Sequence, residues 1–108
     1  MTKRSLDPVQ LRLVETIETL GFGRIEGVAI RHGKPSFGRG IRVVQEIKLG
    51  SGSEVAVGPS NPDLTLKREF DCLFRQFDQL CDGLVDIEVR RSAPFRLIVN
   101  RLYREMLP

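Results

Sequence analysis

The chain has 108 residues, 41% of them hydrophobic and 29% charged, and 17 Lys+Arg against 14 Asp+Glu give a formal net charge of +3. This is the composition of one globular domain, which buries roughly 60–70% of its unfolded surface, enough for one core and too little for two. No apolar run approaches the ~18 residues of a membrane span. Met1 to Ser5 leads into Asp7-Pro8 instead of the apolar stretch of a signal peptide, so a cytoplasmic protein without a membrane partner is expected.

Asp7-Pro8-Val9-Gln10 reads as a helix start: an N-cap carboxylate, proline at the first helical position and Gln at the capping-box position. Leu13, Val14, Ile17 and Leu20 continue it as an apolar stripe that Gly21 ends, which places a first helix over about Pro8 to Leu20. Ile25, Val28 and Ile30 then lie in an extended stretch whose alternation slips by one residue near Glu26-Gly27, the signature of a bulge. His32-Gly33-Lys34-Pro35 breaks this strand. A second strand is expected over Ile41 to Leu49, with Ile41, Val43, Ile47 and Leu49 on one face and Arg42, Val44, Glu46 and Lys48 on the other.

Residues 50–62, rich in Gly, Ser and Pro, form a connector. Thr65 or Asp63 is placed to cap a second helix, whose stripe of Leu66, Phe70, Leu73, Phe77 and Leu80, reinforced by Phe74 and Cys81, is the clearest periodic signal in the chain. Gly83 is the expected stop. Val85, Ile87 and Val89 alternate with Asp86, Glu88 and Arg90. Ser92-Ala93-Pro94 turns the chain, and Phe95, Leu97 and Val99 alternate back, with Arg101 to Leu107 as a strand extension or a short helix. Cys72 and Cys81 fall within the helical pattern at a spacing that fits neither a zinc pair nor a redox motif, so two buried thiols are expected.

The element order is therefore α-β-β-α-β-β in one domain, residues 1–108. The expected fold class is α+β: a two-layer sandwich with a mainly antiparallel four-stranded sheet and two helices on one face. The opposite sheet face carries Arg42, Glu46, Lys48, Asp86, Glu88, Arg90 and Arg96. A shift of 60 residues maps Leu13, Ile17, Leu20, Gly23 and Ile25 onto Leu73, Phe77, Leu80, Gly83 and Val85. A shift of 59 then maps Val28, Ile30, Arg31 and Pro35 onto Ile87, Val89, Arg90 and Pro94. The pattern is that of an internal duplication with halves at about 7–49 and 63–101, although any helix followed by a hairpin reproduces part of it.

No motif identifies a reaction. His32 is the sole histidine, with no acid between Gly27 and Val44 to orient its ring, so it reads as a turn residue, and no catalytic residue, metal site or cofactor is expected. Gly33-Lys34 fails the phosphate-loop pattern and Gly21-Phe22-Gly23 fails the dinucleotide fingerprint. The charge distribution is more informative. Residues 31–42 hold Arg31, Lys34, Arg39 and Arg42 and no acid, and the rest of the chain has 13 basic and 14 acidic residues. Residues 63–88 are acidic, with seven carboxylates against Lys67, Arg68 and Arg75.

A loop of Arg, Gly and one Phe suits nucleic acid. Guanidinium groups pair with phosphate, Gly lets the backbone approach, and Phe37 offers a stacking surface. Arg31, Lys34, Phe37, Arg39 and Arg42 are thus the candidate contacts for DNA or RNA, with Arg90, Arg91 and Arg96 as a second basic surface. Four phosphate contacts imply a slope of log K against log salt of about −3 to −4. The competing readings are a solvated loop, an acidic protein surface as partner, and a homodimer or adaptor formed through the Phe-rich second helix.

Residues 13–49, with Gly-Phe-Gly-Arg-Ile, the His-Gly-Lys turn and Arg-Val-Val-Gln-Glu-Ile-Lys, resemble the small bacterial YezD-like proteins. Those have a helix, a Tyr-Gly strand start, an Asp-Gly-Lys/Arg turn and a Val-Val-Gln strand. The chain departs from them at His32 and in the extra loop Pro35 to Gly40. The resemblance covers about a third of the chain and implies a small bacterial accessory protein, without assigning any functional residue.

Overall fold

The structure, a computed structural model, describes residues 2–38, 40–47, 49 and 66–100. A 3-10 turn at Lys3–Ser5 precedes helix α1 (Pro8–Leu20), then strands β1 (Gly23–Arg31), β2 (Lys34–Ser36) and β3 (Arg42–Gln45), helix α2 (Arg68–Leu80), and strands β4 (Gly83–Arg90) and β5 (Ala93–Asn100). The fold class is α+β, as expected, and the sheet is antiparallel throughout. Strands β1 and β4 lie at its centre, β5 flanks β4, and both β2 and β3 lie along the other side of β1.

Among the described residues there are five strands instead of four, because the partner of β1 is interrupted. Lys34–Ser36 pairs with Ala29 to Arg31, and Arg42–Gln45 pairs with Gly23 to Glu26. The turn is only His32-Gly33, so Lys34-Pro35 is already strand, and β3 stops at Gln45, leaving Ile47 and Leu49 exposed. Between the two pieces, Phe37 and Ile41 pack against the core. The slip in β1 is a bulge: the register shifts between Ile25 and Val28, which keeps both of them buried. Gly27, at φ 77°, donates its N–H to the Asp86 carboxylate across the sheet at 3.0 Å, and a Cβ there would meet the Gly40 carbonyl at 2.6 Å.

The α1 start is as expected, with Pro8 in the first turn and a complete capping box between Asp7 and Gln10. Helix α2 begins after Lys67 without a side-chain cap; Glu69 and Asp71 in its first turn favour the positive end of the helix dipole. Thr65 and Asp63 lie outside the described residues. Phe70, Leu73, Phe74 and Phe77 are buried against Leu13, Val14 and Ile17 of α1 and against Ile25, Val28, Ile30, Val85, Ile87 and Val89 of the sheet. The aromatic stripe of α2 is thus consumed by the core, with Phe74 edge-on to Phe77 at 6.0 Å. Cys72 and Cys81, expected to be buried, are both exposed: Cys72 sits on the outer side of α2 and Cys81 is already past its last turn.

Both helices end in the same way, sixty positions apart. Gly21 has φ 75° and ψ −65°, and Cys81 has φ 65° and ψ −64°. At each site the next residue's N–H turns back to the carbonyl of the last helical residue at 2.8 Å, Phe22 to Leu20 and Asp82 to Leu80. These are γ-turns of positive φ, a strained conformation for any residue with a Cβ. The carbonyls they present are used across the sheet. Gly33 of the first hairpin donates to the Cys81 carbonyl at 2.8 Å, and Ser92 of the second donates to the Gly21 carbonyl at 2.9 Å. Replacing Cys81 with Gly should therefore stabilise the fold, raising Tm by about 4 °C. Thermal unfolding followed by circular dichroism checks this; an unchanged or lower Tm would show that Cys81 is unstrained.

Candidate functional site

The antiparallel pairing of β1 and β4 decides which basic residues share a surface. Ile30 lies opposite Gly83 and Gly23 opposite Val89, so the hairpin turns His32-Gly33 and Arg91-Ser92 sit at opposite ends of the sheet. The loop 31–42 and the second basic surface therefore do not merge through their turns. Arg31 is exposed at the end of β1. Lys34 is drawn to α1, where its ammonium lies 3.1 Å from the Asp7 carboxylate. Phe37 packs against the core, and the Arg12 guanidinium lies 5.0 Å from its ring centre, so it is not a free stacking surface. Arg39 lies outside the described residues. Arg42 is exposed, with its side chain 3.9 Å from Glu26.

What the sheet does assemble is a charged open face, opposite the helices. One cross-strand row runs Val44, Arg24, Glu88, Arg96, and a neighbouring one contains Arg42 and Glu26, then Asp86 and Ile98 beyond the bulge. Arg24 pairs with Glu26 at 2.9 Å and Arg96 with Glu88 at 3.4 Å. Exposed pairs of this kind contribute little to stability, about 0–1 kcal/mol each, and their value is in spacing the charges. At one end of this face the Arg90 guanidinium lies 4.3 Å from the Phe95 ring centre, and that of Arg96 lies 5.4 Å from it. Phe95 remains 49% exposed. The cluster borders a depression of about 520 Å³ that also includes Phe22, Arg24 and Ile98. Arg91 is exposed in the adjacent turn, where its carbonyl accepts from the Lys67 ammonium at 2.8 Å.

Phe95 was expected in the inward alternation with Leu97 and Val99. A register shift overturns this: Val89 pairs with Pro94 and Glu88 with Arg96, leaving Phe95 as the extra residue of a bulge. The sequence signal available was Arg90, Arg91 and Arg96 flanking a Pro-Phe step, since Pro cannot donate to a regular ladder.

A second, wider groove of about 740 Å³ lies between α1 and β3, lined by Leu11, Arg12, Thr16, Thr19 and Val43 among others, without a cluster of titratable groups. Among the described residues, no group of three His, Cys, Asp or Glu side chains is placed to hold a metal ion. The His32 N–H donates to the Asp82 carboxylate at 3.2 Å, which fixes the turn. Asp82 also pushes the Cys81 thiol above its ordinary pKa through its charge and a hydrogen bond, disfavouring the thiolate a nucleophile needs. No helix among the described residues is long and apolar enough to cross a membrane. Comparison with protein-family models, with curated proteins and with solved structures returned no match.

Lys34 thus has a structural partner at the start of α1. The hydrogen bond from the Gln10 N–H, with help from Lys34, holds the Asp7 carboxyl below the ordinary carboxylate range. Its contribution to stability is therefore complete above the unfolded-state pKa and is lost as pH falls through the lower folded-state value. Asp7→Ala should cost about 1 kcal/mol at neutral pH and progressively less on acidification. Urea unfolding at pH 7 and at pH 3 or below measures both; equal losses at the two pH values would contradict the assignment.

Proposed function

We propose that the protein is a cytoplasmic, non-enzymatic module that binds single-stranded nucleic acid on the open sheet face. The observation that supports this reading is the half-exposed Phe95 ring beside the Arg90 and Arg96 guanidinium groups, at the border of a depression on the sheet face that the described helices leave open. Every base offers a π-face, and stacking on an aromatic or guanidinium plane contributes about 1–3 kcal/mol per base without reading sequence. Guanidinium groups also reach phosphate. Compared with loop 31–42, the open face has the more accessible aromatic.

The interleaved Glu26, Asp86 and Glu88 set the character of the binding. A phosphate that engages Arg24, Arg42 or Arg96 competes with a carboxylate already in contact. Stacking then carries more of the affinity than charge neutralisation does, and the salt dependence is shallow, with a slope of about −1 to −2 for two or three phosphate contacts. The same interleaving supports a second reading, an adaptor whose partner is a protein surface of matching alternate charge. The resemblance of residues 13–49 to YezD-like proteins is compatible with either accessory role.

Fluorescence anisotropy with labelled single-stranded DNA and RNA oligonucleotides at 50 and 200 mM salt separates them. Binding should be measurable at low salt, weaken about tenfold in Phe95→Ala and in Arg90→Ala, and change little in Arg31→Ala/Lys34→Ala. Absence of binding at 50 mM salt, or a loss confined to the Arg31/Lys34 variant, would overturn the proposal.

A further inference from the structure

The two edges of the sheet differ. Along one, β2 and β3 are three and four residues long, separated by a loop, and β2 contains Pro35. Such breaks blunt an edge against further pairing. Along the other, β5 pairs only with β4 among the described residues, and past Pro94 and the bulge at Phe95 it runs regularly from Arg96 to Asn100. Beyond Pro94 its sequence is Phe-Arg-Leu-Ile-Val-Asn, high in β propensity, with one charge and no proline.

Its exposure is that of an inner strand lacking a neighbour. Ile98 is 40% exposed on the open face and Val99 37% exposed on the helix side, so apolar surface is uncovered on both sides of one strand. A protected edge would carry Lys, Pro or short pairing at these positions.

We propose that β5 pairs antiparallel with β5 of a second copy, joining two sheets into one. A two-fold axis normal to the sheet requires paired residues to lie on the same face, and the register centred on Ile98 satisfies this. Ile98 then faces its own copy, Leu97 faces the partner's Val99, and Arg96 faces the partner's Asn100. Centring on Arg96 instead would place two guanidinium groups directly opposite each other, which is destabilising. The broken edge at β2 and β3 gives no matching strand for head-to-tail addition, so assembly closes at a dimer. A seam of this length covers less than the roughly 1,200–2,000 Å² of a stable complex, so the dimer dissociates on dilution, in the micromolar range. The inference does not depend on nucleic-acid binding.

Light scattering on the full chain, from about 5 to 500 μM, should show a mass rising from 12.2 kDa towards twice that value. Ile98→Lys places two ammonium groups on the axis and should hold the protein at the monomer mass, with an unchanged circular dichroism spectrum. Ile98→Cys, in a chain with Cys72→Ser and Cys81→Ser, should oxidise to a disulfide-linked dimer, because facing residues have Cα atoms about 4.5–5.5 Å apart, within the span of a disulfide. The same change at Leu84 on the inner strand should not. A monomer throughout the concentration range, a dimer that survives Ile98→Lys, or equal cross-linking at Leu84 would each overturn the proposal.

Discussion

The antiparallel contact between β1 and β4 is the constraint on which the rest of the structure depends. It sets Ile25 and Val28 beside Ile87 and Val85, which fixes the floor of the core. It also brings each hairpin turn against the end of the other half's helix, so that Gly33 and Ser92 supply the hydrogen bonds that the Cys81 and Gly21 carbonyls would otherwise lack. The helices are held by their apolar stripes and by these reciprocal bonds together. Gly21 is buried, and a buried carbonyl without a partner would cost about 1–3 kcal/mol, which ties the end of α1 to the pairing of the other half's strands.

The same pairing produces the open face proposed as the binding surface. Because, among the described residues, the helices cover only one face, the outward residues of β1, β4 and β5 line an open face, and the cross-strand register puts Arg24 beside Glu88 and Glu88 beside Arg96. The net charge of +3 is therefore a poor guide to the surface, which carries cations spaced by carboxylates. The basic loop loses its independence for the same reason: Lys34 turns to the α1 cap, Phe37 to the core and Arg42 to Glu26. The phenylalanine left available is Phe95, released from the inward alternation by the bulge in β5.

Much of the fold was legible in the residues because its signals are local. Asp7-Pro8-Val9-Gln10 contains its whole cap, the α2 stripe repeats over three turns, and the change of offset from 60 to 59 residues coincides with the β1 bulge at Gly27. What was illegible depends on contacts between segments distant in sequence. Val43, Ile47 and Leu49 alternate like a buried strand, yet β3 ends at Gln45 beyond the cover of the helices. Cys81 looks like the last turn of a helix, whereas the hydrogen bond from Gly33 fixes it as a strained cap. The exposure of Phe95 depends on how β5 registers with β4, which alternation alone does not specify.

The central claim is that contact is made by the open face, with residues 31–38 playing no direct part. Backbone amide chemical-shift mapping by NMR during titration with a single-stranded oligonucleotide tests it most directly. The account expects the largest changes at Arg24, Glu88, Arg90, Phe95 and Arg96, with Arg31 to Gly38 nearly unmoved. Changes confined to Arg31 to Gly38, or none anywhere on the sheet, would contradict it.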